Sequence, residues 1–118
     1  MIDFQDLANF HREQALLGGM LMRPTAIENA VHGSLAPEDF TNSAHRAVCA
    51  VILDLHHSGE TVDPVTVAHG LNLRGQLAGM GGAGYMVELT QRFMAEQMVV
   101  DPGNAAWSSA ASALRPLP

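Results

Sequence analysis

Apolar residues recur along this chain at helical spacing, and each run is bounded by residues that start or stop helices. Phe10, Gln14, Leu17 and Leu21 follow an i, i+4, i+7 pattern, with Leu16 and Met20 widening the stripe. This spacing predicts a first helix over residues 7–22. Gly18-Gly19 falls inside it, at a cost of about 1 kcal/mol per glycine relative to alanine. Such a pair is expected to let another helix approach closely. Pro24 suits the first turn of a short second helix with Ile27, Ala30 and Val31 facing inward and His32-Gly33 at its end. A third helix, capped by Asn42 or Ser43, has Ala44, Val48, Val51, Ile52 and Leu55 at offsets of 0, 4, 7, 8 and 11, and Ser58-Gly59 closes it. Asp63-Pro64 repeats the start signal for a fourth helix with Val67, Ala68 and Leu71 inside. A fifth is expected over residues 82–94, carrying Tyr85, Met86, Leu89 and Phe93. Asp101-Pro102 then opens a last helical stretch with Trp107, Ala110, Ala111 and Leu114 on one side.

No segment alternates with a period of two between hairpin turns, so the fold class is all-α: a compact bundle of about five to six short helices with short connections. Between the second and third helices, Leu35-Ala36-Pro37-Glu38-Asp39-Phe40 cannot be helix interior, because of Pro37. Phe40 there is a large apolar anchor that would hold a tight connection onto the core. The expected core is Leu17, Phe40, Val48, Ile52 and Leu55.

At 118 residues the chain has the length of one domain. Twelve acidic residues face six arginines, no lysine is present, and the formal net charge is −6. Affinity for nucleic acid comes mostly from cations that neutralise phosphates, so strong direct duplex binding is not expected. Without lysine there is also no Walker A loop, whose lysine reaches the β- and γ-phosphates. No apolar run approaches the ~18 residues that span a bilayer. Asp3 and Asp6 stand where a secretory signal would carry positive charge, and the single cysteine, Cys49, permits no internal disulfide. Together these point to a cytoplasmic protein.

Five segments, in order, resemble the N-terminal domain of DnaB-type replicative DNA helicases. They are Glu13-Gln14-Ala15-Leu16-Leu17-Gly18; Pro37-Glu38-Asp39-Phe40 followed by His45-Arg46; Gly59 to Val67 with its Val62-Asp63; Gly75-Gln76-Leu77; and Gly81-Gly82-Ala83-Gly84-Tyr85 with Glu88-Leu89. The resemblance covers about residues 12–89, roughly two-thirds of the chain. It implies a helical head domain over residues 1–98, followed by a divergent segment over 99–118 that is a remnant of the family's hairpin. It also implies a homo-oligomer, a dimer, and docking of primase or a helicase loader. If the chain is part of a longer protein, that protein would be an ATP-dependent DNA helicase.

Several motifs invite other chemistry. Gly79-Met80-Gly81-Gly82-Ala83-Gly84 satisfies G-x-G-x-x-G, but a helix and a turn precede it where a dinucleotide site needs a strand. It reads as a flexible loop ending at a helix N-terminus. Six histidines raise a metal site, yet His45 and His56 lie eleven residues apart and His56 and His57 diverge by about 100° on a helix. The histidines are expected to be solvated or capping. Cys49 flanks the third helix's apolar stripe as a small hydrophobe, and Ser108, Ser109 and Ser112 lack a nucleophile elbow. No catalytic, cofactor-binding or metal-ligating residue is assigned, and no cofactor is expected.

The reading that follows is a protein-interaction and oligomerisation domain without chemistry of its own, with Tyr85 and Trp107 as candidate partner contacts. Two alternatives are a stand-alone regulator lacking the motor and a helical DNA-binding domain.

Overall fold

The computed structural model describes residues 4–100, with side chains over 5–97. Five α-helices follow in order: α1 (Phe4–Met22), α2 (Pro24–His32), α3 (Ser43–His57), α4 (Pro64–Leu73) and α5 (Gly84–Val100). Single 3-10 turns at Pro37–Asp39 and Ala78–Met80 interrupt the connections, and no strand occurs among the described residues. None of the helices described is long and apolar enough to cross a membrane.

The sequence's start signals act as written. Asn42, one of the two candidate caps, accepts from the backbone N–H of Ala44 at 2.9 Å and of His45 at 3.2 Å. Asp63 accepts from Thr66 N–H at 2.8 Å while the Thr66 hydroxyl lies 3.0 Å from the Asp63 N–H, a reciprocal cap that satisfies two donors at once. Pro24 and Pro64 open α2 and α4, where a missing N–H costs nothing.

Three helices stop in the same way. After α2, α3 and α4, one residue turns left-handed and the next N–H reaches back to a carbonyl in the last turn. Leu35 bonds Ala30 and Gln76 bonds Leu71, each at 2.9 Å, and Glu60 bonds Leu55 at the same distance. Gly59 and Gly75 take the left-handed position after α3 and α4. After α2 that position falls on Ser34 (φ 63°), one residue beyond the expected glycine.

The core runs through all five helices. Leu17, Met20, Leu21, Ile27, Phe40, Val48, Cys49, Val51, Ile52, Val67, Leu71, Met86 and Leu89 are buried together. Phe40 enters it at 2% exposure from the turn after α2. Asp39 accepts from the Ala36 N–H at 2.9 Å, and the Arg46 guanidinium donates to the Phe40 carbonyl at 2.7 Å, so both sides of that turn are tied.

α1 and α5 pack side by side and run parallel, since the contacts Gln14–Tyr85, Gly18–Leu89 and Gly19–Phe93 advance together. The glycine pair is the reason they fit: a Cβ on Gly18 would lie 2.0 Å from the Leu89 carbonyl oxygen, and one on Gly19 would lie 3.0 Å from the Phe93 ring. Arg23 covers that ring at 5.4 Å. A second close approach, Gly70 of α4 against Val51 of α3, leaves only 2.8 Å for a Cβ.

Four expectations are corrected. Leu16 is 42% exposed and lies outside the apolar stripe. Leu55 is half-buried at the edge of the core, because it lines a groove beside α4. α5 continues six residues past 94, since no breaker appears before Asp101-Pro102. His45 is fully buried rather than solvated. The helical stretch around Trp107 lies outside the described residues.

Gly18→Ala should destabilise the fold by about 1–3 kcal/mol or more, because the added methyl meets backbone rather than a flexible side chain. This loss should exceed the ~1 kcal/mol that alanine gains in helix propensity. A chemical-denaturation midpoint equal to that of the unsubstituted chain would contradict the close contact.

Candidate functional site

Where α1, α3 and α5 meet, a line of polar side chains crosses the core. Gln14 on α1 is 1% exposed and His45 on α3 is 0% exposed. The His45 ring has a partner on each nitrogen: Glu13 Oε1 lies 2.8 Å from Nδ1, and the Tyr85 hydroxyl lies 2.6 Å from Nε2. Gln14 donates to the same hydroxyl at 3.1 Å. The other Glu13 oxygen accepts from the Thr41 N–H at 2.7 Å and the Thr41 hydroxyl at 2.8 Å.

With the His45 proton on Nδ1 alone, these contacts run in one direction: the Gln14 amide donates to the Tyr85 oxygen, the Tyr85 hydroxyl donates to His45 Nε2, and His45 Nδ1–H donates to the Glu13 carboxylate. Both nitrogens of the buried His45 ring are then used. The rings are packed as well as bonded. Phe10 lies 4.9 Å from His45 between centroids, and Tyr85 stacks on the other side at 6.0 Å with an 11° interplanar angle.

Burial alone would raise the pKa of Glu13. The hydrogen bonds from the Thr41 N–H, His45, the Thr41 hydroxyl and the Asn42 N–H outweigh it and hold the carboxyl below its usual value. Tyr85 moves the other way. Burial pushes its phenol up, against the Gln14 hydrogen bond, and the negative charges of Glu88 and Glu13 add to the rise. A glutamate, a histidine and a hydroxyl in a row have the composition of a nucleophilic relay. Here burial makes the hydroxyl less acidic, and its contacts with Gln14 and His45 tie α5 to α1 and α3 inside the bundle.

The remaining candidates are placed as follows. Leu17, Phe40, Val48 and Ile52 are buried. Tyr85 is half-buried with its hydroxyl turned inward. Trp107 lies outside the described residues. Burial pushes the Cys49 thiol up to about 12, with the charges of Asp39 and Glu38 adding to it. Gly81 and Gly82 both adopt left-handed backbone in the turn before α5, which explains glycines there without a phosphate to cradle. No group of three or more His, Cys, Asp or Glu side chains among the described residues is placed to hold a metal ion.

Segments that carried the resemblance meet in this line: Glu13-Gln14 from the first, His45 from the second, Tyr85 from the fifth. The family model for the DnaB-like helicase N terminal domain matches residues 5–101. The chain belongs to that family. Its relatives include the replicative DNA helicase DnaB of Mycobacterium leprae, 46% identical over 82 residues, and that of Geobacillus stearothermophilus, 40% identical over 77 residues. The matches take in 70% and 65% of this chain but only 13% and 17% of those helicases. The solved N-terminal domain of DnaB helicase from Mycobacterium tuberculosis superposes with a TM-score of 0.67 at 43% identity, covering 70% of this chain and 57% of that one.

The sequence reading missed the line itself, although a signal was present. His45 shares a helical face with Val48, Cys49 and Ile52, at offsets of 0, 3, 4 and 7. A histidine on such a face needs partners, and Glu13 and Tyr85 are the two it has.

Tyr85→Phe removes the hydroxyl that serves both His45 and Gln14, and should cost about 1–3 kcal/mol in chemical denaturation. The Glu13 shift also fixes a pH dependence. Because its folded pKa lies below the ordinary 4.5, its contribution is complete above that value and is lost as pH falls through the lower folded one. Stability measured as a pH series should decline on the acid side of 4.5, and Glu13→Gln should make that limb shallower.

Proposed function

We propose that this chain is a protein-interaction and oligomerisation domain within a replicative DNA helicase assembly, docking primase or a helicase loader and performing no bond chemistry itself. The observation that carries this reading is the family match over residues 5–101 to a domain that makes up a small part of each relative. The polar interior supports it: Glu13, His45 and Tyr85 are bound to one another, and the Cys49 thiol is buried and pushed up to about 12, so none is poised for reaction. The net charge of −6 favours protein partners over phosphate backbones. By the same reading the protein works in the cytoplasm.

Size-exclusion chromatography with light scattering, run on the chain alone and with cognate primase, tests the proposal. The expected result is a mass above the 12.6 kDa of one chain and a co-eluting complex with primase. A monomer that binds nothing would refute it.

A further inference from the structure

α4 presents to solvent the two most exposed large apolar side chains among the described residues, Val65 at 76% and Leu73 at 73%. Eight residues separate them, about 12 Å along the helix, with His69 midway on the same face. Beside this stripe runs a groove of about 550 Å³ whose lining includes Leu55, Glu60, Gly70 and His69. The groove explains why Leu55 stops short of full burial.

The charges around the groove bear on what fits it. Asp54 and Arg74, at the ends of α3 and α4, pair with each other. Glu60 is in no ion pair among the described residues and leaves its negative charge at the groove. A second copy would bring another Glu60 on the same face of a chain whose net charge is −6, so self-docking sets like charges together. A cationic partner removes that conflict. The two apolar side chains, spaced like two turns of helix, match the anchor spacing of an amphipathic helix laid along the groove.

We infer that the α4 face docks an amphipathic helix of another protein, one with aliphatic anchors about two turns apart and Lys or Arg beside them. The inference rests on reading the chain as a docking domain and assigns that docking to a face. Phe40, His45 and Tyr85, inside the bundle, take no part in it.

A synthetic helical peptide with leucines at i, i+4 and i+7 and lysines elsewhere provides the probe, titrated into the full chain by fluorescence anisotropy. The same peptide with glutamates in place of the lysines is the control. The lysine peptide should bind and weaken with added salt, and the glutamate peptide should not bind. Val65→Ser with Leu73→Ser, which leaves the charge unchanged, should raise Kd by about tenfold or more. Glu60→Gln should weaken binding severalfold. No binding of the lysine peptide, or equal binding by the serine variant, would overturn the inference. So would self-association of the chain that the serine variant abolishes. If primase co-elutes with the chain while the peptide fails, the docking reading stands and the α4 assignment falls. If the peptide binds through Val65 and Leu73 while the chain neither oligomerises nor holds primase, the reverse holds.

Discussion

A histidine sealed from water at the junction of three helices constrains everything packed around it. Both ring nitrogens of His45 need partners, because an unpaired buried polar group costs about 1–3 kcal/mol. Glu13 and Tyr85 supply them from helices 32 and 40 residues away in sequence. Satisfying the ring therefore fixes where α1 and α5 stand relative to α3. Apolar burial supplies the larger driving force, but it is tolerant of sliding. A hydrogen-bonded line needs its donors and acceptors in place, so it favours the register that brings Glu13 and Tyr85 to His45.

The close contact between α1 and α5 follows from that register. With Gln14 and Glu13 bound toward Tyr85 and His45, the next turn of α1 must pass Leu89 at a distance that only glycine allows. Gly18-Gly19 weakens α1 as an isolated helix. Within the bundle the pair lets two parallel helices touch, and Phe93 with Arg23 above it fills the end of the contact. The same line accounts for the turn before α3. Glu13 also binds the backbone and hydroxyl of Thr41, one residue after the Phe40 anchor, so the turn is pinned on both its apolar and its polar side.

Most of the fold was legible because its signals are local. Asn42, Asp63, Pro24 and Pro64 each mark a helix start within a few residues, and Gly59 and Gly75 mark ends. The stripe Val48, Val51, Ile52 needs only a period of 3.6 to be read. The site was less legible because its geometry is not local. Nothing near His45 in sequence names Glu13 or Tyr85 as partners, and histidine, intermediate in its tendency to be buried, does not by itself mark a core position. Leu16 fails for a similar reason: a wide apolar stripe does not say how much of its width a neighbour covers. The end of α5 was misplaced because residues 95–100 contain no glycine or proline to stop it.

The central claim is that Glu13 and Tyr85 act through His45 as one unit. A double-mutant cycle in chemical denaturation, combining Glu13→Gln with Tyr85→Phe, measures this directly. Glu13 and Tyr85 share no direct hydrogen bond, and each is bonded to the ring that lies between them. The account predicts a double variant whose loss differs from the sum of the single losses by more than about 0.5 kcal/mol. Losses that add within that margin would contradict it.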